Sequence, residues 1–311
     1  MTGNALTARL TRGEIVLLDG ALGTELERRG VSTALPLWSA RALLDAPERV
    51  REIHEEYIRA GAEVLTAATF RTTPRMLGKA GEGGAGRADR ADGEADRLSA
   101  LAVSLASEAR SRVGSGRDVW IAASMAPLED CYRPDLMPPL ETAEAEHRDQ
   151  ALRLERAGAD VILIETMNSV GEAVAALRGA KATALPVFVS FLCRGPAEIW
   201  NGERLEQGVA ALLPLRPDAV LVNCVSPEIA PACLLALAGA TNLPIGCYPN
   251  AGSPDLADGS WRYDPACTPE RFAEAAGEWI RLGAQIVGGC CGTTPDHVRA
   301  MRAALPPVLV E

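Results

Sequence analysis

The sequence predicts an α/β fold of the (β/α)8 TIM-barrel type, in a single domain. Three observations carry that expectation. About eight short runs rich in Val, Ile and Leu lack the polar alternation of half-exposed strands, so they read as parallel strands buried on both faces. Amphipathic segments with helix-start signals separate them, which implies right-handed crossovers. The chain of 311 residues is somewhat longer than the ~250 typical of this barrel. A doubly wound open sheet with a lid is the alternative.

The predicted strands occupy 15–19, 64–70, 119–124, 161–165, 187–192, 219–223, 244–248 and 286–289. Asp45-Ala46-Pro47-Glu48 opens a helix whose Val50, Ile53, Tyr57 and Ile58 form one face. Thr268-Pro269-Glu270 opens another, striped by Phe272, Ala275, Ala276, Trp279 and Ile280. Ser226-Pro227-Glu228 and Thr294-Pro295-Asp296 repeat the same order of cap, proline and acid. The stretch 78–97, GKAGEGGAGRADRADGEADR, is glycine-rich and charged with no apolar face, and it is expected to be a flexible insertion after the second strand. No internal repeat or second domain is expected.

Composition narrows the function. With 31 Lys+Arg against 41 Asp+Glu the net charge is −10, and no long basic run exists to neutralise nucleic-acid phosphates. No apolar stretch approaches the roughly 20 residues that span a bilayer, so no membrane partner is expected. The first residues lack the apolar core of a signal peptide, which points to the cytoplasm and to reduced thiols. The 8 cysteines are therefore small buried hydrophobes, a catalytic thiol or a metal site.

In a barrel of this kind the active site forms at the carboxyl ends of the strands. Those ends carry Asp19-Gly20, Thr69-Phe70-Arg71, Glu165-Thr166, Cys193, Asn223-Cys224, Pro249-Asn250 and Cys290-Cys291. Successive strand side chains point to opposite faces. Cys290 and Cys291 could face one centre only if the backbone turns, and Gly288, Gly289 and Gly292 supply that freedom. With Cys224, three sulfurs would converge, a donor set suited to a zinc ion with an open fourth position. Spacing alone leaves other readings open: buried thiols, a redox pair, or Cys193 and Cys247 as competing ligands. Of the other five cysteines, these two are expected nearest the site. The three histidines, His54, His147 and His297, are read as structural.

Five segments together resemble one family: LLDGALGTELERRG (17–30), PLWSA (36–40), VNC (222–224), YPNAG (248–252) and GGCCGTTP (288–295). They are similar to the homocysteine S-methyltransferases, over about residues 15–301. That family includes S-methylmethionine-dependent enzymes, betaine-dependent enzymes and the homocysteine domain of cobalamin-dependent methionine synthase. The resemblance implies a (β/α)8 barrel and a Zn2+ ion held by Cys224, Cys290 and Cys291. It implies that Asp19 and Glu165 bind the ammonium of homocysteine, and that backbone N–H groups of Gly20, Ala21 and Leu22 receive its carboxylate. Asn223 would support the metal site, and Trp38 would stand near the methyl donor. No general acid or base is required, because binding to the metal deprotonates the substrate thiol.

The donor is where the chain departs from its relatives. Betaine-dependent members have tyrosine after the Thr-Phe of the second strand, where this chain has Arg71. A cation there disfavours a quaternary ammonium donor, and it suits a sulfonium only if it pairs with a donor carboxylate or points away. The length leaves no room for built-in folate and cobalamin domains. A sulfonium, S-methylmethionine or S-adenosylmethionine, is the expected donor. GGCCGTTP and the stretch ASMAPLEDCYRPDLMPP leave open methyl transfer from a separate corrinoid protein. Two further readings stand beside the methyltransferase: a barrel aldolase or isomerase with a glycine-rich phosphate loop, and a non-catalytic binding protein for zinc or sulfur amino acids. Oligomeric state is not legible.

Overall fold

The computed structural model describes residues 3–81, 87–114, 116–255 and 261–305. Eight parallel strands form the barrel: β1 (Val16–Leu17), β2 (Val64–Ala67), β3 (Trp120–Met125), β4 (Val161–Met167), β5 (Val187–Gly195), β6 (Ala219–Asn223), β7 (Ile245–Tyr248) and β8 (Ala284–Val287). Each is followed by a helix against the outside of the wall: α1 (Pro47–Ala60), α2 (Arg87–Val113), α3 (Leu140–Arg156), α4 (Val170–Ala180), α5 (Leu205–Leu212), α6 (Ala230–Ala240), α7 (Pro269–Arg281) and α8 (Pro295–Ala304). Val16 pairs with Ile286 of β8, and a parallel bridge from Leu18 to Val64 closes the barrel. The Asp19 N–H donates to Val64 O at 2.9 Å across that seam.

The pleat sorts the core into two layers. Val16, Leu18, Trp120, Phe188, Leu221 and Ile286 fill the barrel interior, while alternate residues such as Leu17, Ile121, Val189 and Val222 face the helices. An N-terminal helix (Gly3–Thr11), not foreseen from the sequence, plugs the amino-terminal end with Leu6 and Leu10, both buried with the interior set. Arg9 fastens it there. Its guanidinium lies 3.0 Å from Glu63 Oε1 and 5.5 Å from the Trp120 ring centroid.

Several expectations are corrected. Residues 87–97 are not an insertion loop but the first three turns of α2. Ala91, Ala95, Leu98 and Ala102 are buried at helical spacing, so alanines make the apolar face that the charge-rich reading overlooked. Residues 82–86 of that predicted insertion lie outside the described residues. Asp45 does not cap α1; the cap position is Ala46, and Asp45 pairs with Arg41 at 2.6 Å. Ser226-Pro227-Glu228 forms a turn and α6 starts at Ala230. Thr268 does cap α7, accepting from Arg271 N–H at 3.4 Å. Among the described residues no helix is long and apolar enough to cross a membrane.

Candidate active site

Three cysteines meet at the carboxyl-terminal mouth. β6 ends at Asn223, and Cys224 then turns into the left-handed region at φ 53°, a conformation that costs a non-glycine residue on the order of 1–2 kcal/mol. Asn223, fully buried, holds the turn. Its Oδ1 accepts from Thr166 N–H at 2.9 Å and from Ser190 Oγ–H at 2.7 Å, and its Nδ2 donates to Thr166 Oγ1 at 2.9 Å and towards Cys224 Sγ at 3.5 Å.

After β8 the backbone leaves the sheet, so Cys290 and Cys291 no longer alternate. Cys290 N–H donates to Pro249 O at 2.7 Å and Cys291 O accepts from Ala251 N–H at 2.8 Å. A side chain at Gly289 would lie 2.3 Å from Thr293 Oγ1, and Gly292 adopts φ 83°. Only glycine fits this turn. The three sulfurs all lie within 4.8 Å of one another, with Cys224 and Cys290 at 2.9 Å. Hydrogen bonds from Cys224 and Cys291 hold the Cys290 thiol well below the ordinary cysteine range, and the same contact pushes Cys224 above it.

Two buried carboxyl groups stand beside the sulfurs. Asp19, just past β1, accepts from Thr66 N–H at 2.7 Å and Thr66 Oγ1 at 2.9 Å. Glu165 on β4 accepts from the Ser124 hydroxyl and, at 3.2 Å, from Tyr248 OH. Burial raises Asp19 to about 7 and Glu165 to about 8, and negative charge on Cys290 adds to both. Such a pair of carboxyls near a thiolate is a place for a cation, whose arrival restores their charge. Beside Asp19, Ala21 N–H is engaged by Thr293 Oγ1 at 3.2 Å. The N–H groups of Gly20 and Leu22 have no acceptor among the described residues.

Trp38 adopts φ 47° and meets Phe70 edge-on, centroids 5.3 Å apart. Gly23 makes room for it, since a Cβ there would fall 2.4 Å from Trp38 Cζ2. Arg71 is buried next to them. The sequence reading missed Cys131 and Tyr132. Burial pushes the Tyr132 hydroxyl up, and the Cys224 sulfur adds to it. Tyr132 stacks edge-on with Trp200 at 5.1 Å, and Trp200 Nε1–H donates to Tyr132 O at 3.1 Å. The available signal was a Cys-Tyr pair in the loop after the third strand.

Cys193 and Cys247 are not near the sulfurs; both are buried in the layer between wall and helices. Cys131 takes the place expected of them. All eight cysteines are free thiols. His54, His147 and His297 join no group with metal-ligand spacing among the described residues. His147 faces Glu172 Oε1 at 3.4 Å, and His297 Nδ1 accepts from Thr294 N–H at 3.2 Å at the start of α8.

Comparison with known proteins places the chain among relatives. The family model described as homocysteine S-methyltransferase matches residues 16–305. The homocysteine S-methyltransferase of Escherichia coli K12 is 36% identical, over 96% of this chain and 98% of its own. The selenocysteine Se-methyltransferase of Brassica oleracea is 30% identical, over 94% and 89% respectively. The metallated form of the homocysteine methyltransferase MmuM from Escherichia coli superposes with a TM-score of 0.81 at 32% identity, covering 95% of this chain and 98% of that one.

Proposed function

The chain belongs to the homocysteine S-methyltransferase family, and we propose that it uses zinc to transfer a methyl group from a sulfonium donor to homocysteine, giving methionine. S-methylmethionine and S-adenosylmethionine are the candidate donors. The observation that carries this reading is the convergence of Cys224, Cys290 and Cys291 beside two buried carboxyl groups. The donor set fits the metal. Three sulfurs suit a borderline-soft ion, and a set of three rather than four leaves a position for a substrate sulfur. When bound, zinc would keep that sulfur as a thiolate at neutral pH, still nucleophilic because three cysteinates have already offset the metal charge.

The chain's own residues do the rest. Glu165 and Asp19 take the ammonium of homocysteine between them, and the hydroxyls of Ser124, Tyr248 and Thr66 fix the two carboxylates so that the amino-acid end enters in one orientation. The free N–H groups of Gly20 and Leu22 receive the substrate carboxylate. Trp38 offers its indole face to the donor sulfonium by cation–π attraction, which holds the methyl group in line with the substrate sulfur. No side chain needs to carry a proton.

The test combines metal analysis with a donor panel of S-methylmethionine, S-adenosylmethionine, betaine and a methylated corrinoid protein. The expected outcome is one zinc per chain, methionine from a sulfonium, and loss of both zinc and about 10³-fold of turnover in C224A, C290A and C291A. Protein without stoichiometric zinc, or full turnover in all three variants, would overturn the reading.

A further inference from the structure

Arg71 is a buried cation with no anion among the described residues. It is 8% exposed; its Nη1 donates only to the thioether of Met76, at 3.2 Å, and its Nε has no acceptor. Among the described residues no carboxylate forms an ion pair with it. Its other neighbour is the Phe70 ring, 5.8 Å from the guanidinium carbon, and Phe70 in turn contacts Trp38. Taking a guanidinium out of water without a carboxylate or a full set of acceptors is costly. Other buried arginines of this chain avoid that cost: Arg153 pairs with Asp96 at 2.6 Å, and Arg9 with Glu63.

Arg71 follows the second strand at the carboxyl-terminal mouth of the barrel, four residues past the end of β2. Burial pushes the Cys131 thiol up to about 12, the Arg71 charge pulls against that, and the Cys290 sulfur adds to it. Cys131 therefore lies within electrostatic reach of both Arg71 and the sulfur cluster, and all three border one mouth.

We propose that Arg71 is the receptor for the carboxylate of the methyl donor, so that the enzyme selects a sulfonium α-amino acid. This rests on the reading that the chain methylates homocysteine from a sulfonium. Charge spacing accounts for the choice. In S-methylmethionine three carbons separate carboxylate from sulfonium, so a carboxylate on Arg71 leaves the positive sulfur free to reach the aromatic faces of Trp38 and Phe70. In betaine a single carbon separates them, and the same anchor would press the quaternary ammonium against the guanidinium.

The experiment compares S-methylmethionine with its α-carboxamide, which keeps nearly the same shape but replaces a charged acceptor oxygen with a neutral NH2 donor, on zinc-loaded wild type, R71M and R71K. Turnover with homocysteine and calorimetric binding of each donor are both read. Wild type should favour the carboxylate donor by about 100-fold in kcat/KM. R71M should raise KM and Kd for S-methylmethionine by a similar factor, leave those for the carboxamide and for homocysteine within about threefold, and bring the donor ratio close to one. R71K should keep an intermediate ratio, since it retains the charge without the planar fork. A general packing role would lower both donors together, and that result overturns the assignment. So does wild type that does not distinguish the two donors, a comparison independent of whether R71M folds. Absence of methionine from every donor defeats the parent reading, whereas equal use of both donors defeats only this one.

Discussion

Asn223 commits its side-chain amide to the Ser190 hydroxyl and to the two strained residues that shape the site, Thr166 at φ 59° and Cys224 at φ 53°. Without it, the buried Thr166 N–H and Ser190 hydroxyl lose their partner and Cys224 loses the group that orients its sulfur. Asn223→Ala is therefore expected to cost about 1–3 kcal/mol of stability and to weaken zinc binding about 10- to 100-fold. Denaturant melts and competitive chelator titration measure the two effects, and unchanged metal affinity would show that Asn223 serves folding alone. At this scale the sequence was partly legible. The Asn-Cys and Gly-Gly-Cys-Cys patterns identify three sulfurs because each sits in a local motif whose glycines and amide are adjacent in the chain. Arg71 and Cys131 are different. Nothing in the neighbouring residues says that one has no carboxylate partner among the described residues or that the other lies within electrostatic reach of the sulfur cluster.

Elements were legible where an apolar face was made of large residues. The eight barrel strands and α7 follow from runs of Val, Ile, Leu and aromatic residues. The first turns of α2 did not, because Ala91 and Ala95 mark the face and are outnumbered by charges. The N-terminal helix was missed because it is only nine residues long, with two leucines one turn apart as its signature. Its weight is nonetheless structural. Leu6 and Leu10 close the end of the barrel opposite the cysteines, so L6A or L10A should each cost about 2–5 kcal/mol while kcat/KM stays within about twofold. Thermal melts and steady-state kinetics on the same preparations test this, and lost activity at unchanged stability would place the plug in the catalytic machinery instead.

At the scale of the whole molecule, buried titratable groups tie stability to pH in two opposite senses. Asp19 and Glu165 have folded values, about 7 and about 8, above those of an unfolded chain. Their contribution is full below the unfolded values and is lost as pH rises through the folded ones. Metal-free protein should thus lose more Tm between pH 5 and pH 9 than E165Q does, and an equal loss in both would show that Glu165 is not raised. His54 is fully buried with neither ring nitrogen partnered among the described residues, and burial lowers it to about 4. Its contribution is present above the unfolded value and lost as pH falls. H54L should gain on wild type by about 3 kcal/mol between pH 7 and pH 4.

The chain alone determined the fold class and pointed to the three cysteines that converge, because strand–helix alternation and short motifs are written in contiguous residues. Tertiary structure decided which side of the wall each side chain faces. Tyr248 points into the barrel and Cys247 away from it, and that parity comes from strand register, which a shift of one residue would invert. Barrel closure likewise decided that Asp19, Glu165 and the Cys224 turn, far apart in sequence, share one mouth with Arg71. A group's solvation and charge depend on what packs around it, and that neighbourhood exists only in the folded molecule.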